Sequence, residues 1–107
     1  MSALINNIDA FYALSDPSRR EILRLLSEDK KSINSIAKNF DISRPAVSKH
    51  IKVLTQTGFI TIEELGRERY CILNQQGFYE LEQWLGYFEN CWTKRLKNLE
   101  TFLAKNK

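Results

Sequence analysis

The chain has 107 residues, of which 43% are hydrophobic and 27% are charged, and its formal net charge is +3. The composition is ordinary for a folded soluble protein and the length fits one domain, so we expect a single domain over residues 1–107. No apolar run approaches the roughly 20 residues that span a bilayer, and the N-terminal stretch MSALINNIDAF lacks the charged start and cleavage site of a signal peptide, so we expect a cytoplasmic protein.

Two helices are predicted in the first part of the chain. Apolar residues at mostly three- and four-residue steps indicate a first helix that ends near Leu14; they are Leu4, Ile5, Ile8, Phe11, Tyr12 and Leu14. Asp16 followed by Pro17 indicates the start of a second helix, because a carboxylate accepts hydrogen bonds from free amides and proline suits the first helical position. In that helix we expect Ile22, Leu23, Leu25 and Leu26 to face inward and Arg19, Arg20 and Arg24 to face outward.

A helix-turn-helix is predicted over residues 32–57. Ser32 is a candidate cap for the first of its helices, whose stripe contains Ile33, Ile36, Ala37 and Phe40. Residues 41–43 form the turn, and Ser43 with Pro45 indicates the start of the next helix. Val47, Ile51 and Leu54 are spaced to face the core, and Gly58 ends the helix.

A wing and a long last helix complete the predicted fold. The segments FITIEEL and RYCILN are rich in strand-forming residues and flank Gly66-Arg67-Glu68, which predicts a hairpin over about residues 60–73. From about residue 77 to 104 the spacing of apolar residues is close to a heptad seam; it contains Phe78, Leu81, Leu85, Phe88, Trp92, Leu96, Leu99 and Leu103. So small a domain cannot cover this seam alone, which favours packing against a second copy.

These segments together resemble the ArsR/SmtB family of winged-helix transcriptional repressors. The matching stretches are FYALSDPSRREILRLL, DISRPAVSKHIKVLTQTGFI and GRERYCI, and they extend the resemblance over roughly residues 8–104. The aromatic-rich last helix is similar to the branch that contains metal-independent SdpR-type autorepressors. The resemblance implies a mostly α fold with a small β-hairpin wing, in the order α-α-α-α-β-β-α. It also implies a homodimer through the first and last helices that presents two recognition helices to a palindromic operator on double-stranded DNA.

The predicted DNA-binding residues lie on the second helix of the helix-turn-helix and on the wing; they are Arg44, Pro45, Ala46, Ser48, Lys49, His50, Lys52, Arg67 and Arg69. Arg44 and Ser48 come early on the helix, where base edges are reached. Lys49 and Lys52 suit phosphate contacts, as do the wing arginines, which could also reach a minor groove. For His50 a phosphate contact, a packing contact and base reading stay open.

The predicted dimer interface takes residues from both ends of the chain; they are Ile8, Phe11, Leu81, Trp84, Leu85, Phe88, Trp92, Leu96, Leu99 and Leu103. Many proteins of the resembled family sense metals through cysteines before the turn or histidines on the last helix. This chain has Ile36, Ala37, Lys38, Asn39 and Phe40 at the first place and no histidine beyond His50. We therefore expect no metal site and no cofactor. The similarity to the SdpR-type branch implies sequestration by a partner protein as an alternative means of regulation.

Three other functions are alternatives to DNA-binding repression, and the residues favour each of them less. A winged helix that serves only as a protein-interaction module is one alternative, although protein interfaces favour aromatic anchors over a basic helix face. A thiol redox-sensing repressor that uses Cys71 and Cys91 is another; isolated cysteines are more often small core residues. An enzyme is not expected, because no orienting group, phosphate loop or metal set accompanies Cys91 and His50.

Overall fold

The computed structural model describes residues 8–105 of the chain. In chain order the elements are α1 (Ala10–Leu14), α2 (Pro17–Leu26), β1 (Lys31–Ser32), α3 (Ile33–Ala37), α4 (Arg44–Gln56), β2 (Ile60–Leu65), β3 (Glu68–Leu73) and α5 (Gln76–Lys105). Ile8, predicted in the first helix, precedes it, and Leu4 and Ile5 lie outside the described residues. The predicted winged helix-turn-helix class is confirmed, with one strand more than predicted.

The short helices begin at side chains that accept hydrogen bonds from their first free amides. The Asp16 carboxylate accepts from the Ser18 amide at 2.8 Å and starts α2, with Pro17 at the first position. Ser32 and Ser43 cap α3 and α4 in the same way, with Oγ–N distances of 3.1 and 3.3 Å. These caps satisfy amides that a helix cannot pair internally. The predicted starts of all three helices are therefore confirmed.

The three strands form one antiparallel sheet in the order β1-β3-β2. β2 and β3 pair from Ile60↔Leu73 to Leu65↔Glu68, so the connecting loop has two residues, Gly66 and Arg67. Gly66 has φ +64°, the left-handed conformation that such tight hairpin loops need. β1 was not predicted, and Glu68 was expected in the turn rather than in β3. A two-residue strand has no pattern of its own and exists only through its pairing with β3.

The core lies between α2, α3, α4 and the sheet. Its most completely buried large side chains are Ile22, Ile36, Val47, Leu54, Phe59 and Ile60. Helix α4 ends at Gln56, and Gly58 two residues later has φ +84°. The chain then turns so that the Gly77 amide of α5 donates to the Gly58 carbonyl oxygen at 2.9 Å. The rings of Phe59 and Phe78 meet edge to face with centroids 4.8 Å apart. We call this junction the α4–α5 corner.

Helix α5 leaves the core soon after this corner. Its 30 residues correspond to about 45 Å, and the molecule is 66 Å long but only 25 Å thick. Gly77 is the only residue of α5 that is buried in the single chain among the residues described. Leu81 packs partly against the core, whereas the later apolar residues of the seam are exposed.

Candidate nucleic-acid interface

The N-terminal half of α4 presents its polar side chains to solvent because its other face is buried. Val47, Ile51 and Leu54 pack in the core and are at most 4% exposed. Arg44, Ser48, Lys49 and Lys52 lie on the exposed face, and Pro45 and Ala46 stand in the first turn beside Arg44. The helix therefore offers one continuous row of short and basic side chains.

The wing places its two arginines next to this row. Arg69 on β3 pairs across the hairpin with Glu64 of β2, and it borders a groove of about 300 Å³ together with Ser48 and Lys52. A smaller depression of about 100 Å³ is lined by Arg44, Arg67 and Arg69, with Glu68 beside them. Helix and wing residues that lie up to 25 positions apart in the sequence thus share one surface, which we call the reading face.

The cations of the reading face form no salt bridge with any other described residue. Within the part of the chain that the structure describes, salt bridges join Arg24 to Glu21 and Lys30 to Glu63. Lys49, Lys52 and the three arginines form none. The nearby Glu68 carboxylate accepts a hydrogen bond from the Tyr70 hydroxyl at 3.0 Å, and this contact raises the pKa of Tyr70. The reading face therefore carries unpaired positive charge, which suits an anionic ligand.

His50 differs from the other polar side chains predicted to bind DNA because it is half-buried and turned toward α2. Its Nδ1 lies 3.3 Å from Nη1 of Arg19, and its Nε2 lies 3.9 Å from a carboxylate oxygen of Asp16. Of the roles left open for His50, this geometry favours the packing contact.

Arg19 was predicted to face outward, and this prediction is wrong. Its side chain is 7% exposed, and its Nε and Nη2 donate to the carbonyl oxygens of Ala13 and Tyr12 at 2.7 and 3.0 Å. The helical period explains the error, since Arg19 precedes Ile22 by three residues and Leu26 by seven and so lies on the same buried stripe. That spacing could have predicted the burial of Arg19. It was passed over because a charged arginine is expected on an exposed face. Arg20 and Arg24 are exposed, as predicted.

The predicted dimer-interface residues form a second surface along α1 and α5. The Phe11 and Trp84 rings have centroids 5.4 Å apart, and Phe88 follows Trp84 at 5.0 Å. Except for the half-buried Leu81, all of the predicted residues are exposed in the single chain; the seam beyond Phe88 consists of Trp92, Leu96, Leu99 and Leu103. We call this surface the apolar seam.

The two cysteines lie in different environments and are not bonded to each other. Cys71 is buried on β3, as predicted for a small core residue, and burial raises the pKa of its thiol to about 11. A thiol that stays protonated at neutral pH is a poor nucleophile, which argues against Cys71 as a redox sensor. Cys91, by contrast, was expected in the core and is exposed on α5.

Between residues 8 and 105, no group of three or more His, Cys, Asp or Glu side chains is arranged to hold a metal ion. None of the described helices has the length and apolar character to cross a membrane.

Comparison with known proteins identifies the family. The profile of the family described as "Bacterial regulatory protein, arsR family" matches residues 16–61. The transcriptional repressor SdpR of Bacillus subtilis is 36% identical over 86 residues, which cover 80% of this chain and 93% of the repressor. The chain belongs to the ArsR family. This confirms the family predicted from the three matching stretches of sequence.

Solved structures of ArsR-family proteins have the same fold. A crystal structure of an ArsR family transcriptional regulator is 36% identical, with a TM-score of 0.71 over 78% of this chain and 87% of that one. A homodimeric winged helix-turn-helix DNA-binding domain from Mycobacterium bovis, described as a possible ArsR-family regulator, has a TM-score of 0.59 at 18% identity. It covers 83% of this chain and 80% of that one. The latter likeness concerns the fold alone.

As a member of the ArsR family, this protein is a DNA-binding transcriptional regulator. The ArsR family and the relatives found are regulators and not enzymes. An interaction module without DNA binding and a thiol redox sensor are not favoured.

Proposed function

We propose that this ArsR-family protein is a dimeric repressor that binds a two-fold symmetric operator. The observation that carries the proposal is the reading face, where Arg44, Ser48 and Lys52 of α4 lie beside Arg67 and Arg69 of the wing. Its cations have no salt-bridge partners among the described residues, so they are available to phosphates. An exposed helix beside a basic wing fits the width of a DNA major groove and its flanking backbone.

Within this face, the start of α4 would read bases. Arg44 is the first residue of the helix and Ser48 lies one turn later on the same exposed side. Pro45 and Ala46 are short, so they let the first turn approach base edges closely. An arginine can contact guanine O6 and N7 together, and a serine hydroxyl can pair with several base edges.

The remaining cations would bind the DNA backbone. Lys49 and Lys52 lie along α4, Arg67 lies in the loop at the tip of the wing, and Arg69 lies close to that tip on β3. Contacts of this kind supply affinity that does not depend on base sequence, and they fix the register of the protein on the duplex.

The apolar seam would hold two copies together. Leu96 is 64% exposed and Trp92 is 60% exposed in the single chain, and a contiguous apolar surface of this kind marks an interface. A two-fold arrangement of the α1 and α5 surfaces would place two copies of α4 on the same side of the dimer. Their half-sites would then be spaced about one turn of DNA, roughly 34 Å.

Repression would follow when the bound dimer covers a promoter. The name of the Bacillus subtilis relative, transcriptional repressor SdpR, supports repression over activation. No small-molecule effector is part of the proposal.

Selection of bound duplexes from a random DNA pool tests the proposal. We expect enrichment of a two-fold symmetric site whose half-sites are about one helical turn apart. Retention of DNA without any enriched sequence would contradict operator reading. No retention at low salt, together with binding to a partner protein, would favour the interaction module instead.

A further inference from the structure

We infer that Arg19 is a positioning residue that orients the recognition helix α4 through His50. Arg19 is the only charged side chain that is buried among the described residues, and it lies on α2, away from the reading face. The inference rests on the proposed function, because it assigns to Arg19 a part in operator discrimination without contact with DNA.

The guanidinium of Arg19 joins three elements. From α2 it donates to the last carbonyl oxygens of α1, at Ala13 and Tyr12, and its third contact reaches Nδ1 of His50 on α4. No carboxylate forms a salt bridge with it in the described part of the chain. Carbonyl dipoles at the end of α1 and the ring of Tyr12, 5.0 Å from the guanidinium carbon, offset its charge instead.

The contact also fixes the state of the His50 ring. A guanidinium only donates hydrogen bonds, so Nδ1 of His50 must be an acceptor and the ring hydrogen must sit on Nε2. Nε2 faces the Asp16 carboxylate, although the separation of 3.9 Å is too long for a direct hydrogen bond. Arg19 therefore holds His50 from α2 through Nδ1, while Nε2 faces the Asp16 cap of the same helix without a hydrogen bond.

This is the only side-chain hydrogen bond between α2 and α4 among residues 8–105. In the core, Val47, Ile51 and Leu54 of α4 share an apolar cluster with residues of α2, and apolar contacts are not directional. Base contacts require side chains to be held within about 0.5 Å, whereas long Lys and Arg side chains follow a phosphate over a wider range. Loss of the Arg19–His50 bond should therefore reduce discrimination more than general DNA affinity.

Two substitutions at His50 distinguish the effect of its hydrogen bond with Arg19 from the effect of the imidazole ring. His50→Leu removes the acceptor, and His50→Asn keeps an acceptor oxygen near the place of Nδ1. For the operator enriched by the wild-type protein, we expect about tenfold weaker binding for His50→Leu, which corresponds to about 1.4 kcal/mol for one charge-assisted hydrogen bond. Binding of His50→Asn should return to within about threefold of wild type, and binding to an unrelated duplex should change less than about twofold in both.

Arg19→Lys provides the second half of a double-mutant cycle. Arg19→Lys should weaken operator binding about tenfold. Because both substitutions remove the same hydrogen bond, the double variant with His50→Leu should bind the operator within about twofold of either single variant. Arg20→Lys is the matched control, because Arg20 is exposed and donates to the Leu14 carbonyl oxygen without reaching α4. Its operator affinity should stay at the wild-type value.

Several results would overturn the inference. Equal operator binding by His50→Leu and wild type would do so, as would additive losses in the cycle, since additivity means that His50 acts on DNA independently of Arg19. If the effects of the Arg19 and His50 substitutions were coupled only in the free energy of unfolding of the free protein, and not in operator binding, the bond would have a structural role alone. If the wild-type protein enriches no DNA sequence, the proposed function itself is wrong. The wild-type selection therefore distinguishes failure of the proposed function from failure of the inference about Arg19.

Discussion

The ring of Phe11 on α1 lies edge to face against the ring of Trp84 on α5, with centroids 5.4 Å apart and planes inclined at 71°. This contact joins the helix before the helix-turn-helix to the last helix. Both rings are still partly exposed, and Phe88 extends the row along α5. The two helices thus present one aromatic surface whose uncovered part is available to a second copy.

Leu96→Glu should break the proposed dimer. Leu96 is 64% exposed in the single chain, so a monomer would tolerate the change, but a dimer would have to bury a carboxylate against apolar side chains. We expect dimerisation to weaken by at least about 2 kcal/mol, measured by sedimentation equilibrium. Asn98→Glu introduces the same charge on the opposite side of α5 and should leave the dimer intact. Equal sedimentation of both variants and wild type would argue against the apolar seam as the interface.

Arg44→Ala and Ser48→Ala should each relax operator discrimination. Loss of a good base contact removes about 1–3 kcal/mol of preference between the operator and a variant with one changed base pair. Competition binding with a set of single-base variants measures this preference. Lys52→Ala is the control on the same helix, because loss of a phosphate contact should lower all affinities and preserve their rank order. Unchanged affinity ratios in the Arg44 and Ser48 variants would refute base reading by the start of α4.

Arg67→Ala should weaken binding to all sequences alike. Arg67 is exposed in the two-residue loop of the wing and forms no salt bridge among the described residues. Removing one phosphate contact should reduce the slope of log K against log salt by about 0.9. Titrations at several salt concentrations measure the slope, and Lys97→Ala on α5 removes the same charge away from the reading face. An altered base preference with an unchanged slope would contradict the role given to the wing.

Gly77→Ala and Gly86→Ala should have opposite effects, although both glycines lie on α5. A Cβ at Gly77 would stand 2.6 Å from the ring of Phe59 and 2.8 Å from its amide nitrogen. We expect this overlap to lower the free energy of unfolding by about 1–3 kcal/mol. Gly86 has nothing within 4 Å of the added carbon, so alanine there should stabilise the helix by up to about 1 kcal/mol. Urea unfolding measures both, and equal tolerance at the two positions would contradict the close packing of the α4–α5 corner.

Cys71 should make stability depend on alkaline pH. Burial raises the pKa of its thiol to about 11, against 9.0 ordinarily, so the thiol ionises more readily in the unfolded chain. This contribution to stability is complete below about pH 9 and is lost as pH rises toward 11, by up to about 1.4 kcal/mol per pH unit. Wild type should therefore lose about 1.4 kcal/mol more than Cys71→Ala between about pH 8 and pH 10 in urea unfolding. Parallel losses in the two proteins would show that the thiol is accessible to water.

Local signals made much of this fold predictable. Asp16, Ser32 and Ser43 cap their helices through amides only two or three residues away, and Gly58 and Gly66 adopt positive φ where the sequence indicated a helix end and a turn. Such features depend on neighbouring residues alone, so the sequence displays them.

Other features depend on residues far apart in the chain and were not predicted. The strand β1 exists because Lys31 meets Cys71, a pairing that a two-residue segment cannot signal. Arg19 and His50 are 31 positions apart, and only the packing of α2 on α4 brings them within hydrogen-bonding distance. The same packing changes His50 from a candidate DNA contact into a neighbour of a buried charge.

The hydrogen bond from the Gly77 amide to the Gly58 carbonyl, with the Phe59 and Phe78 rings beside it, closes the α4–α5 corner. In a dimer built on α5, the two α5 helices would cross at some angle. Because this corner joins α4 to α5 in each copy, that angle would set the distance between the two α4 helices. One base pair added at the centre of an operator would turn one half-site by about 34–36° around the DNA axis. In the proposed dimer, a corner closed by these contacts would resist that rotation, so we expect the packing of α5 to set the operator spacing that the protein accepts.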